Sequence, residues 1–348
     1  MARTTGPSTA AGPLLLIAGV VVVAAAALAY TAGWLSPKRL TPDRFLEQFQ
    51  PANGVALGHR RNHAKGLCFT GVFESNGAGA ALSKAMVFTP GQYPVVGRFN
   101  LGDPDPAASD ATVGVRGLSI RITTPDGQQW RSAMINAPAF PVATPQAFYE
   151  LLALRKSKDP QALPRFAAAH PEFAAFSALT AKQVHTASYA GERYSSIDSF
   201  LFMDNDDQEH AVRWVVQPAV TPVAATPEEL GKLGPDFLFR DLGRHLAVGR
   251  PLHFTMTVIV AGPGDVTADP SKPWPEDRQH LDVGVLTVQR LQTEPDGPCR
   301  DINYDPTVLP DGIRLSDDPF PAARSAVYAR SFDLRTAEAD HYPRRAAP

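Results

Sequence analysis

Two stretches at opposite ends of the chain hold residue types able to do chemistry. The first, HRRNHAKGLCFTG from His59 to Gly71, sets His63 behind Arg60 and Arg61 and ahead of Lys65. Three cations beside an imidazole resist burial unless an anionic group is held nearby, so an ordinary core histidine explains the stretch poorly. The second, ARSAVYARSFDLR from Ala323 to Arg335, sets Arg324 and Tyr328 four residues apart. On a helix that spacing puts both on one face. A guanidinium beside a phenol favours the phenolate, a hard anionic oxygen ligand suited to ferric iron. A surface Arg–Tyr pair satisfies the same spacing. Arg335, two turns past Tyr328, adds a cation able to meet an anionic edge. His59 and His63 are also four apart, but HRRNH lacks the glutamate of HExxH and runs into a β-rich stretch, which argues against a zinc pair.

These side chains need elements to hold them. LCFTGVFE, YPVVGRFN and VRGLSIRITT are short β-rich runs parted by Gly, Pro, Asn and Asp, and His63 is expected to begin the first strand. In the third run Leu118, Ile120 and Ile122 alternate with Ser119, Arg121 and Thr123, the period of a half-buried strand. Strands return at AVRWVVQ, LHFTMTVIVAG and VGVLTVQRL. A short helix is expected from Thr41-Pro42, and a longer one at TPQAFYELLALRKS, with Thr144 as cap and Pro145 in first position. Others are expected at PEFAAFSAL and near PEELGKL, where Thr226 and Glu229 have capping-box spacing. A last helix starts after Pro319 or Pro321 and carries Arg324 and Tyr328. This order describes an α+β chain built on an antiparallel barrel better than a βαβ repeat.

The 348 residues are 44% apolar with a net charge of -2, which fits a globular chain and opposes a general nucleic-acid binder. The 33 prolines favour a loop-rich fold. No charge occurs between Arg3 and Lys38, and Pro13 to Leu35 is almost wholly apolar. At ~1.5 Å per residue that run crosses the ~30 Å core of a bilayer. Tyr30 and Trp34 lie at its C-terminal end, where interfacial aromatics sit. The expected organisation is a tail over 1–12, a transmembrane anchor or uncleaved signal over 13–35, and one domain over 36–348. A cleaved signal peptide competes with the anchor, since Ala27 to Ala29 fits a cleavage site. Arg3 before the span and Lys38, Arg39 and Arg44 after it weakly oppose an exported domain. A membrane-anchored, single-pass chain with its domain outside the cytoplasm is still the preferred reading. Cys68 and Cys299, the two cysteines, form no CxxC spacing, and their pairing stays open.

RNHAKGLCFTGVFE closely resembles the distal-histidine segment of haem catalases. YDPTVLPDGIRLSDDPFPAARSAVYARSFDLR resembles their proximal segment, with Asp-Pro, Pro-x-Gly-Ile and Arg-x-x-x-Tyr in order. Between them GRFNLGDPDPAASDATVGVRGLSIRITTPDG and MINAPAF are similar to the intervening blocks. The resemblance runs from about residue 40 to the last helix and is nearest to the short subgroup called catalase-related peroxidases. It implies a catalase-like antiparallel β-barrel with surrounding helices, and a b-type haem. Tyr328 would be the iron ligand, as tyrosinate is in catalases, with Arg324 holding it ionised. Arg60, Arg98 and Arg335 would pair with the haem propionates. His63 would be the acid–base group, Asn136 the amide that orients peroxide, and Phe140 an apolar neighbour of the pocket.

Some positions depart from the family pattern. Asn100 stands where typical catalases carry a serine bonded to the distal histidine, and Asn62 replaces an apolar neighbour. The chain stops twenty residues past Tyr328, without the C-terminal helical region of full-length members, so a wider approach to haem is expected. The implied activity is peroxidase reduction of organic hydroperoxides, with hydrogen peroxide as a further acceptor, by an organic electron donor through a ferryl porphyrin-radical intermediate. A true catalase, a lipid-hydroperoxide lyase or isomerase, and a non-catalytic haem-binding module are the alternatives. Expected partners are the peroxide, a small-molecule donor, the membrane through the N-terminal helix and, as an open option, further copies of the chain. Nucleic acid is not among them.

Overall fold

A computed structural model of the chain describes residues 11–31, 39–51 and 54–341. Its strands are β1 (Gly66–Ser75), β2 (Gly91–Leu101), β3 (Arg116–Thr123), β4 (Gln129–Ile135), β5 (Tyr194–Ser195), β6 (Phe200–Met203), β7 (Glu209–Pro218), β8 (Leu252–Val260), β9 (His280–Thr293) and β10 (Ile313–Leu315). Its helices are α1 (Ala11–Thr31), α2 (Pro42–Gln48), α3 (Pro145–Leu154), α4 (Ala162–Ala169), α5 (Pro171–Thr180), α6 (Pro227–Gly231), α7 (Phe237–Ala247) and α8 (Phe320–Ala337). Pairing runs β10-β6-β7-β5-β4-β3-β2-β1-β9-β8, and a further β7–β8 pairing closes eight strands into an antiparallel barrel. β6 and β10 extend it from β7. The α+β barrel expected from the order of elements is the architecture found.

The barrel interior is packed with side chains. Along each strand, period-two alternation sends one set of residues inward and the other out. Phe69 and Phe73 of β1, Phe99 and Leu101 of β2, Leu118, Ile120 and Ile122 of β3, and Trp130 and Met134 of β4 belong to the buried core. Phe99 lies 5.1 Å from Phe69 and 5.2 Å from Tyr189, and Trp130 meets Trp214 edge-on at 5.0 Å. Burying each such ring contributes about 1.5–3 kcal/mol. A barrel filled this way leaves its outer wall for function. The residues that alternate with these, namely Cys68, Arg98, Asn100, Gly117 and Ala133, face outward over β1 to β4.

Local rules account for the helix starts. The side chain of Thr41 accepts from Arg44 N, that of Thr144 accepts from Ala147 N, and Thr226 with Glu229 forms the full capping box. β4 was not anticipated, because Arg131 and Ser132 interrupt its apolar pattern. Ser132 nonetheless faces the core, where its hydroxyl accepts from Trp214 Nε1 at 3.0 Å. His63 does not begin β1 as expected; it lies in a bend three residues before the strand. Gly12–Thr31 is one helix long and apolar enough to cross a membrane, and none of it is buried against the rest of the chain. Arg3, Trp34 and Lys38, which bear on that span, lie outside the described residues.

Candidate active site

α8 lines up its functional side chains by helical period. Arg324, Tyr328, Ser331 and Arg335 are spaced four, three and four residues apart, so all fall on one face. Arg324 donates from Nη2 to Tyr328 Oη at 3.2 Å and to Ala133 O of β4 at 2.9 Å. Its Nη1 pairs with Asp198, a buried carboxylate just before β6. Burial opposes the charge on Arg324, but the Tyr328 phenol and the Asp198 carboxyl beside it overcome this and raise its pKa. Behind it, burial pushes both Asp198 and Asp318 upward. Arg324 therefore stays a permanent cation, aimed at the phenol oxygen and braced from the other side.

The bend from Gly58 to Lys65 has no ladder of its own and is held by partners elsewhere. Arg61 N donates to Ser331 Oγ at 3.2 Å, and Arg61 pairs with Glu338 at 2.6 Å. Gly58 N donates to the same carboxylate at 3.0 Å, and Ala64 N to Asp103 O at 2.8 Å. His63 itself takes a positive φ of 54, a left-handed conformation that costs a non-glycine residue about 1–2 kcal/mol. That strain aims the ring. Nδ1 lies 2.6 Å from Asn100 Oδ1, while Asn100 Nδ2 donates to Arg98 O at 3.4 Å. With the amide oriented so, Nδ1 carries the proton and Nε2 keeps its lone pair. Gly117 makes room for this amide, since a Cβ there would sit 2.2 Å from Asn100 Oδ1. Burial pulls the His63 pKa down to about 4 against the Asn100 bond, and Arg98, Arg324 and Arg60 add to the fall. The site thus holds a neutral imidazole, with the α8 arginine near enough to act on it.

Beside the bend, three guanidiniums converge on the loop after β9. Arg98, fully buried, donates from Nη2 to Glu294 Oε2 at 2.6 Å and to Ala64 O at 3.0 Å. Arg60 donates to Glu294 Oε1 at 3.2 Å and to the carbonyls of Cys299 and Ile302 at 3.0 and 3.2 Å. Arg335 donates to the carbonyls of Arg300 and Ile302. Gly66 opens the space, because a Cβ there would lie 2.2 Å from Arg98 Cζ. Cys68 of β1 and Cys299 form a disulfide with Cα atoms 5.4 Å apart, across 231 residues of sequence. The pairing that sequence left open is thereby settled.

Asn136 and Phe140 are each fixed by neighbours. Asn136 Nδ2 donates to Gly114 O at 3.3 Å and to Glu192 at 3.2 Å, while Oδ1 accepts from Arg116 N at 3.0 Å. Both N–H bonds are engaged, which fixes the amide between Arg116 and Glu192. Phe140 sits between Phe148 at 4.8 Å and Phe320 at 4.7 Å, in an apolar cluster joining α3 to the start of α8. The Asn62 side-chain oxygen is buried without a partner, consistent with a polar rather than apolar neighbour to His63.

Sequence reasoning missed Glu294 and Asp198. Each lies in a polar stretch, QTEPDGP or SSIDSF, that reads as a turn. The one usable signal was charge balance, since buried arginines demand carboxylates.

The model of the family described as Catalase matches residues 19–341. The chain belongs to the catalase family. A protein of Synechococcus elongatus called catalase-related peroxidase is 35% identical over 303 residues, covering 85% of this chain and 89% of the relative. One of the same name from Mycolicibacterium paratuberculosis is 32% identical over 300 residues, covering 85% and 95%. Among solved structures, a bacterial catalase superposes with a TM-score of 0.70 at 20% identity, over 83% of this chain and 60% of that one. Catalase A from Saccharomyces cerevisiae gives 0.70 at 17%, over 83% and 65%. The chain therefore spans under two thirds of these solved catalases. Catalase-family proteins depend on haem, and the donor set here fits it: a phenol oxygen polarised by Arg324, and buried guanidiniums outnumbering their carboxylate.

Proposed function

We propose that this chain is a haem peroxidase that reduces organic hydroperoxides with a small organic electron donor. Its kinship makes it a peroxidase-type oxidoreductase; the acceptor, the donor and the residue roles are our reading. The observation that carries it is the neutral imidazole of His63, with Nδ1–H on Asn100 and Arg324 close by. A mere haem carrier has no use for a strained, oriented base.

Tyr328 would hold the haem iron through its phenol oxygen, and Arg60, Arg98 and Arg335 would meet the propionates. The haem, a b-type group in this proposal, would supply the two-electron chemistry of O–O cleavage and the storage of oxidising equivalents. His63 Nε2 accepts the proton of the incoming peroxide and returns it to the leaving oxygen, which departs as water or an alcohol without charge separation. Asn100 keeps Nε2 as the basic nitrogen throughout. Arg324 donates to the Tyr328 oxygen and is braced by Asp198, so its cation stays fixed beside that atom. Asn136, its amide held by Gly114, Glu192 and Arg116, would orient the peroxide beside His63.

In this proposal the domain over 36–348 lies outside the cytoplasm, with the N-terminal helix as a single-pass anchor. The buried disulfide supports an oxidising compartment. An optical spectrum of the haem-loaded protein, followed by paired assays, tests the reading. Dye oxidation with an alkyl hydroperoxide outpacing oxygen release from hydrogen peroxide is expected. The reverse order makes it a catalase, and haem that binds without turning over any peroxide refutes catalysis.

A further inference from the structure

Three guanidiniums gather at a covalently anchored loop, and two of them bond its one carboxylate, Glu294. Glu294 follows the last residue of β9 and reaches both Arg98 and Arg60. Burial pushes its carboxyl up, but Arg98 and Arg60 more than offset this and hold it below the usual range. Arg335 rests on carbonyls, and burial together with the nearby Arg60 charge pulls it down to about 9. Arg61 pairs with Glu338, and Arg300 lies 3.9 Å from Asp301, whose charge also acts on Arg335. Burial leaves His59 less basic than usual. Among the described residues Glu294 is the one carboxylate bonded to these arginines, and Asp301 acts on Arg335 by its charge, so positive charge is in excess. The loop cannot move away from the cluster, since Cys299 is bonded to Cys68 and a Cβ on Gly297 would lie 2.5 Å from Cys68 Sγ.

We propose that Glu294 is a built-in counter-charge that holds Arg60 and Arg98 in place before haem arrives and tunes the arginine cluster to a dianionic group. This rests on the haem reading above, in which the dianion is the pair of propionates. Glu294 is a positioning residue, acting through the arginines. A buried cation stripped of its only carboxylate is strongly destabilising, whereas loss of both partners together is close to neutral. Removing Glu294 should therefore harm the haem-free protein far more than the loaded one, because the propionates then provide the missing negative charge.

The experiment compares thermal midpoints of haem-free and haemin-loaded protein for wild type, E294Q and the double variant R98Q/E294Q. E294Q should lower the haem-free Tm by roughly 5–10 °C and the loaded Tm by less than half as much, so that the shift on loading grows. R98Q/E294Q, which removes the more buried partner together with its carboxylate, should recover most of the haem-free loss. Equal losses in the free and loaded forms of E294Q overturn the proposal and make Glu294 an ordinary structural anchor. If E294Q accumulates only with haemin, the proposal is supported. If it accumulates in neither form, the double variant decides, a folded double variant supporting the proposal and an unfolded one overturning it. A wild type whose Tm ignores haemin refutes the haem reading itself; a wild type stabilised by haemin with an unchanged increment in E294Q refutes this inference alone.

Discussion

The helix carrying Tyr328 and the bend carrying His63 hold their functional atoms by different means. α8 is a continuous helix of 18 residues, so its own hydrogen bonds place Arg324, Tyr328, Ser331 and Arg335 along one face. The bend has no such ladder. His63 stands at φ 54, and its ring direction depends on Asn100 from β2 and on Ser331 and Glu338, which tie its neighbours to the last helix region. The phenol is thus positioned locally and the imidazole by tertiary contacts. Changes on α8 should alter chemistry while leaving geometry intact, and changes around the bend should alter geometry first.

The sharpest way to break this comparison is Tyr328→Phe, which keeps the ring and removes the oxygen. Turnover should fall by more than about 100-fold, beyond the effect of losing an outer partner, with the optical spectrum losing its phenolate character. An unchanged spectrum would mean that the ligand lies elsewhere. His63→Gln should lower turnover about 10²–10⁴-fold while haem content stays near normal. The wild-type rate should fall as pH drops through about 4, where the free imidazole becomes protonated. Stability carries the same sign. The fold lowers this histidine from 6.5 to about 4, so the unfolded chain takes up the proton first and stability declines as pH drops across that window. Urea midpoints measured from pH 6.5 to 4 should show that decline, and a flatter one in His63→Gln.

Arg324→Ala should reduce turnover about 10–100-fold, as loss of a partner that tunes a metal ligand does. Asn100→Ala tests the other region. The ring loses its acceptor and the buried Nδ1–H goes unsatisfied, an effect of about 1–3 kcal/mol seen mainly in rate and in the pH profile. Similar pH profiles for Asn100→Ala and wild type would show that the bend orients the ring unaided. The smallest effect belongs to Asp43→Ala, which removes the exposed pair with Arg330 linking α2 to α8 at 2.6 Å. It should change stability by less than about 1 kcal/mol and leave turnover alone.

Much of the site was legible because its signals are local or carried by long motifs. Thr41, Thr144 and the Thr226–Glu229 pair announced helix starts, since capping is settled within one turn. The Arg324–Tyr328 spacing survived into the structure because the helical period guarantees it. The substitution of an amide for serine at Asn100 raised doubt about His63, and the 2.6 Å contact resolves it. The hydrogen bonds of Asn136 were not legible, for the opposite reason. A motif names a residue type at a position, but the partners that occupy its hydrogen bonds come from Gly114, Arg116 and Glu192.

By itself the sequence determined the class of fold, the helix that presents arginine and phenol together, the apolar N-terminal helix, and the need for negative charge beside Arg60. Period and composition act over a few residues and need no partner. Only the tertiary structure decided that Cys68 meets Cys299, that Glu294 answers Arg60 and Arg98, and that Asp198 backs Arg324. Each of those contacts joins residues more than a hundred positions apart, and nothing along the chain specifies such a meeting until the barrel closes.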